Sequence, residues 1–133
     1  MSIQIQALAK QYTGASLAKL VETHVKRLKA HQLSDAIQET YLKFPEAFRP
    51  AADEFSLNYS QAWMGPKMVS GDLGEMFLQA VGFGKEFAEK RGINLDEEQA
   101  FELFNLTVMR VAHFAHNNPN FRKSIGIKKG WFS

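Results

Sequence analysis

Residues Asp96 to His116 read DEEQAFELFNLTVMRVAHFAH, and this stretch decides the fold. Phe101, Phe104, Val108, Val111, Ala112 and Ala115 recur at spacings of three and four, which at 100° per residue places them on one face of an α-helix. Leu103 and Phe114 flank that face and widen it, so the helix is predicted to be the central element of the fold. Asp96 and Gln99 form a reciprocal cap, each side chain able to satisfy one amide that the first turn leaves unpaired. The opposite stripe, Glu98, Glu102, Asn105, Met109, His113 and His116, reads as the solvent side. Asn117-Asn118-Pro119 ends the helix, and a turn or short helix with Phe121 follows.

Working outward, the same recurrence is found upstream. From Asp72, an N-cap residue, a helix runs to about Arg91 with Leu73, Met76, Phe77, Ala80, Phe83 and Phe87 inward. Gly92 is placed to end it in a left-handed conformation. Gly74, Gly82 and Gly84 fall inside this helix at about 1 kcal/mol each relative to alanine, so a close helix or ring is expected against bare backbone. Residues 50–63 give another helix, with Phe55, Tyr59, Ala62 and Trp63 inward and Gly65-Pro66 as its stop. Ser16 caps a helix over residues 17–31 whose apolar face holds Leu17, Leu20, Val21, Val25 and Leu28, with His24 and His31 on that face and Lys19, Glu22, Lys26 and Lys29 opposite. A further helix from Ser34 turns Ile37, Tyr41 and Phe44 inward, Pro45 opens a short one, and Ser2–Tyr12 is helical through Ile5, Leu8 and Tyr12. The expectation is an all-α protein: a compact bundle of five to six helices, partly orthogonal in packing. It forms a single domain over residues 1–133, with residues 119–133 as a basic-aromatic C-terminal tail.

Composition narrows the function classes. With 133 residues, 45% hydrophobic and 23% charged, the chain is long enough to bury a core without covalent staples. It has no cysteine, which excludes disulfides, thiolate metal sites and thiol nucleophiles. The start, Met1-Ser2-Ile3-Gln4-Ile5-Gln6, has neither the basic opening nor the apolar run of a secretory signal, and no segment reads as a membrane span, so the expectation is a soluble, cytoplasmic protein. The net charge is +2 but unevenly placed: residues 1–50 hold seven basic and four acidic side chains, residues 51–100 four and nine, residues 101–133 five and one. Basic ends and an acidic middle point to contacts within the chain before they point to a polyanion.

Three groups of residues carry candidate chemistry. His24 and His31 stand seven apart, and His113 and His116 three apart. Facing helices could gather these four imidazoles, with Glu22 or Glu102, around a metal ion or a haem iron. No glutamate stands three residues before any of the four, so the Glu-x-x-His signature of carboxylate-bridged metal bundles is missing, and the structural reading is the heavier one. Gly82-Phe83-Gly84-Lys85 resembles a phosphate loop only superficially: no Ser or Thr follows the lysine and the glycines lie in a helical pattern, which favours a helix–helix contact. Lys128, Lys129, Trp131 and Phe132, with Arg122 and Lys123 before them, combine cations with stacking surfaces and form a candidate partner-binding segment, unless the aromatics fold back onto the core.

No serine sits in a Gly-x-Ser-x-Gly turn and no nucleophile has an adjacent base, so no catalytic residue is assigned. Aromatics and methionines on helices that each bury one face leave apolar surface for a partner. The first functional expectation is therefore a small helical protein-interaction or regulatory module that binds another protein or itself as a homodimer, with no cofactor. A metal- or haem-binding helical protein using the four histidines is the alternative. A nucleic-acid accessory factor working through the tail and the Lys19, Lys26 and Lys29 face comes next.

Overall fold

Residues 3–65 and 71–127 are described by the structure, a computed structural model. In chain order these residues form α1 (Ile3–Tyr12), α2 (Leu17–Arg27), α3 (Ala30–Tyr41), a 3₁₀ turn (Glu46–Phe48), α4 (Arg49–Trp63), α5 (Leu73–Glu89), α6 (Glu97–Asn117) and α7 (Pro119–Ser124). The all-α architecture holds, with seven α-helices among the described residues where five to six were expected. Helix α7 is the short helix expected around Phe121, at the start of the stretch read as tail. Its Arg122 guanidinium donates to the carbonyls of Ala115 at 2.8 Å and His116 at 2.6 Å, satisfying two of the acceptors that the end of α6 leaves open.

Helix α6 is the axis of the molecule, packed by α2, α3, α4 and α5, while α1 lies on α5. Its capping box forms as expected: the Gln99 amide donates to Asp96 Oδ1 at 2.8 Å and the Asp96 amide to Gln99 Oε1 at 3.2 Å. Eleven of its 21 residues are buried, more than one face can supply. The stripe expected to face solvent is therefore largely covered: Glu102 and Met109 are buried, Asn105, His113 and His116 are half-buried, and only Glu98 is exposed. The physical reason is that α2 and α3 close over that side. Lys43, just beyond α3, donates to Glu102 Oε1 at 3.2 Å, and His116 Nε2 donates to the Leu28 carbonyl at 2.6 Å. At the centre, Phe104 meets the rings of Tyr12, Trp63, Phe77 and Phe101 at centroid distances of 5.6, 5.8, 5.0 and 6.3 Å.

The segment expected as one helix over residues 17–31 is two. Leu28 adopts φ −127°, ψ 134°, and the chain re-enters a helix at Ala30, with the Lys29 amide donating to Gln32 Oε1 at 2.8 Å. No glycine or proline marks this corner. It is stabilised from outside by the hydrogen bond from His116 to Leu28, a partner 88 positions away. Ser16 caps α2 through the Lys19 amide, as predicted.

Asp72 caps α5 by accepting from the Gly74 amide at 3.1 Å, and it also accepts from Gly14 at 3.4 Å, tying the α1–α2 turn to the start of α5. The Leu73 amide adds a bond to the Ala15 carbonyl at 2.9 Å. The buried face of α5 is Leu73, Gly74, Met76, Phe77, Ala80, Val81, Gly84 and Ala88, whereas Phe83, expected inward, is 48% exposed. Glycine explains the rotation. A methyl group on Gly84 would lie 2.7 Å from Leu103 Cδ1, so the bare backbone is what lets α6 approach, and it turns Phe83 outward. On α4 a similar shift buries Ser56 and Ser60 and leaves Ala62 exposed; the hydroxyls are satisfied by the carbonyls of Asp53 and Leu57.

Candidate functional site

Two helical stripes face one another across a groove. Helix α4 and its C-cap contribute Leu57, Ser60, Gln61 and Met64, and α6 contributes Arg110, His113, Phe114 and Asn117. Both sets follow the i, i+3, i+4, i+7 spacing of one helix face, so each wall is a straight stripe. Ile37 of α3 and Asn118 close the cavity, whose volume is about 280 Å³. Its exposed lining mixes Gln61 and Asn117 with two apolar side chains, Leu57 at 44% exposure and Phe114 at 38%, two of four large apolar side chains so placed among the described residues.

Four polar side chains of the groove, Arg110, Ser60, Asn117 and Asn118, donate to other groups of the chain. Arg110 Nε donates to Ser56 Oγ at 2.8 Å, and Nη2 donates to Tyr41 Oη and Asp53 Oδ1. Tyr41 Oη in turn donates to the same Asp53 oxygen, so one guanidinium clamps α3 and α4 to α6. The Tyr41 hydroxyl is held above the usual tyrosine range, first by burial and then by its hydrogen bond to Asp53, with Arg110 pulling the other way. It therefore remains a donor. Ser60 Oγ is turned to the Leu57 carbonyl at 2.9 Å. The amides of Asn117 and Asn118 donate to the carbonyls of His113 at 3.1 Å and Phe114 at 2.9 Å, capping the end of α6. Among the described residues the His113 ring has no hydrogen-bond partner, and it stands half-buried in the wall. An arginine already bonded three ways, a serine turned to backbone and a rim of leucine, methionine and phenylalanine make a surface for packing.

The four predicted histidine ligands are not brought together. His24 Nδ1 donates to the Leu20 carbonyl of its own helix at 3.0 Å. His31 was expected on the apolar face with His24; the break at Leu28 puts it on α3 instead, where it is exposed. His113 lines the groove while His116 holds Leu28. Glu22 pairs with Lys26 at 3.5 Å, and Glu102 is engaged by Lys43 and Asn105. Among the described residues no group of three or more His, Asp or Glu side chains could hold a metal ion. The predicted partner-binding residues Lys128, Lys129, Trp131 and Phe132 lie outside the described residues.

Leu57, Met64 and Arg110 were not singled out from the sequence. A signal for Arg110 existed, since it interrupts the apolar run Val108-Met109-Arg110-Val111 on a helix read as central, where a lone cation needs partners from elsewhere in the chain. Among the described residues no helix is long and apolar enough to cross a membrane. No protein-family model, no curated protein and no solved structure matches the chain.

Proposed function

We propose that this chain is a small helical protein-interaction module that recognises a helix or loop of another protein chain, in the first place a second copy of itself, in the groove between α4 and α6. The observation that carries this reading is the half-exposed pair Leu57 and Phe114 on the rim of that groove. Apolar side chains placed beside one another at the mouth of a cavity are surface that a partner buries. The size of the cavity supports the same view: about 280 Å³ falls just below the range of roughly 300–1,000 Å³ usual for small-molecule sites, and suits one or two side chains of a partner. Recognition without a catalytic step fits an arginine and a serine that are bonded within the wall. A cytoplasmic setting belongs to the proposal, since a chain without cysteine relies on its packed core alone.

The test is light scattering over a range of protein concentrations, with Leu57→Asp as the variant. Leu57 is half-exposed, so the change leaves helical circular dichroism intact and abolishes the concentration-dependent rise in mass. An unmodified chain that stays monomeric throughout, or a Leu57→Asp chain that associates as well as the parent, overturns the reading.

A further inference from the structure

We infer that the outer face of α5 is a second surface for self-association, on which two copies of the chain pair antiparallel about a two-fold axis passing between Gly82 and Phe83. The inference rests on the proposed function for the copies it joins. One ring and a few screened charges make a small contact, so it tightens association through the α4–α6 groove and does not replace it.

Three glycines sit inside α5, and two of them have a reason within the chain. A methyl group on Gly74 would lie 3.1 Å from the Ala9 carbonyl oxygen, and one on Gly84 would lie 2.7 Å from Leu103 Cδ1. A methyl group on Gly82 would meet nothing within 4 Å, although a glycine in mid-helix costs about 1 kcal/mol against alanine. The next residue, Phe83, is 48% exposed, its ring 6.3 Å from that of Tyr59. Bare backbone beside a protruding ring is a hole beside a knob, the arrangement by which two helices interlock.

The residues around this pair give the register. Glu75, Gln79, Gly82, Phe83, Glu86 and Lys90 are all exposed, and at 100° per residue they fall within about 100° of one another around the helix. Lys90, the C-cap, keeps the helical φ of −62° and ψ of −19°, so it continues the stripe. In an antiparallel pair centred between Gly82 and Phe83, the Phe83 ring lies over Gly82 of the second copy, where there is no side chain to clash. Glu86 then faces Gln79, whose amide can donate to it, and Lys90 faces Glu75, about 11 Å from the axis at 1.5 Å per residue. A two-fold axis repeats each contact, so two lysine–glutamate pairs form and no like charges meet. Both ends are open to such a partner: Glu75 makes no ion pair among the described residues, and Lys90, 3.6 Å from Glu86 of its own helix, keeps its side chain 72% exposed.

Glu75→Lys, Lys90→Glu and Gly82→Leu alter exposed positions, so helical circular dichroism is expected to match the parent. In light scattering, each is expected to move the half-rise in mass to several-fold higher concentration. An equimolar mixture of Glu75→Lys and Lys90→Glu is expected to bring it back to the parent's position, because in the mixed pair a lysine again faces a glutamate at both ends. Charge variants that associate like the parent overturn the inference, and so does a mixture no tighter than its components. Unchanged association of Gly82→Leu overturns it as well. Leu57→Asp separates the two surfaces. If it stops association while the charge variants have no effect, the groove stands and the α5 pair falls. If it associates like the parent while the mixture still rescues, the α5 pair stands and the groove falls.

Discussion

At the scale of single residues, Arg110 does the most. Its guanidinium joins Tyr41, Asp53 and Ser56, and the ring of Tyr41 lies 5.8 Å from the guanidinium carbon. The Asp53 carboxylate is 56% exposed against 22% for the Arg110 side chain, so the ion pair itself is screened and contributes at most about 1 kcal/mol. The hydrogen bonds to Tyr41 and Ser56 are better shielded. Arg110→Ala is accordingly expected to destabilise the chain by about 1.5–3 kcal/mol, the range for hydrogen bonds that involve a charged group. Asp53→Asn is expected to cost under about 1 kcal/mol, as for exposed pairs. Urea unfolding of the two variants checks the order; equal losses would mean that the ion pair, not the pair of neutral acceptors, holds the groove walls.

At the scale of elements, glycines and one histidine set how the helices meet. Gly82 faces open space and has no positive φ, and nothing in the packing requires it. Gly82→Ala is therefore expected to stabilise by about 0.5–1 kcal/mol through helix propensity. Gly84→Ala would push a methyl group onto the buried Leu103, and Gly74→Ala would place one 3.1 Å from the Ala9 carbonyl oxygen. Each is expected to destabilise by about 1–3 kcal/mol, the usual range for overpacking. Thermal melts of the three variants give opposite signs if this account is right. The corner between α2 and α3 depends on His116 in the same way. His116→Ala leaves the Leu28 carbonyl without that donor and is expected to cost about 1–3 kcal/mol. Hydrogen exchange at Leu28 and Lys29 should rise with it, and unchanged exchange there would mean that the corner is held locally.

For the whole molecule, three ion pairs join distant parts of the chain, and one of them, Arg110 with Asp53, joins a basic end to the acidic middle. Lys43 from the basic first third pairs with Glu102 at 3.2 Å, Arg91 with Glu54 at 3.7 Å, and Arg110 from the basic last third with Asp53 in the acidic middle. The three tyrosines, Tyr12, Tyr41 and Tyr59, are all held above the ordinary value of 10.0, in each case first by burial, with Glu86 adding to the shift at Tyr59. A raised value in the folded state means that the native chain keeps phenolic protons that the unfolded chain loses. Stability is then unaffected by these groups below about pH 10 and falls as pH rises beyond it. An ultraviolet tyrosine titration, run beside urea melts at the same pH values, is expected to show late ionisation together with falling stability. Normal ionisation of all three would contradict the packing of Tyr12 against Phe77 and Phe104.

The amino-acid order alone determined the helices and their caps, because periodicity and capping are local: the reciprocal bonds of Asp96 and Gln99, the Ser16 and Asp72 caps and the positive φ of Gly92, at 73°, all follow from residues within a few positions of each other. It also indicated that the glycines of α5 mark a close approach, which is so for Gly74 and Gly84. Only the tertiary structure decided the break at Leu28, the outward turn of Phe83, the burial of Glu102 and Met109, and the groove with its Arg110 clamp. Each of those depends on a neighbour that arrives from a distant part of the chain: His116 for Leu28, Leu103 beside Gly84, Lys43 for Glu102, and Tyr41, Asp53 and Ser56 for Arg110. Hydropathy along one helix reports that some face is covered, but which face, and by what, is set when several helices compete for the same central one.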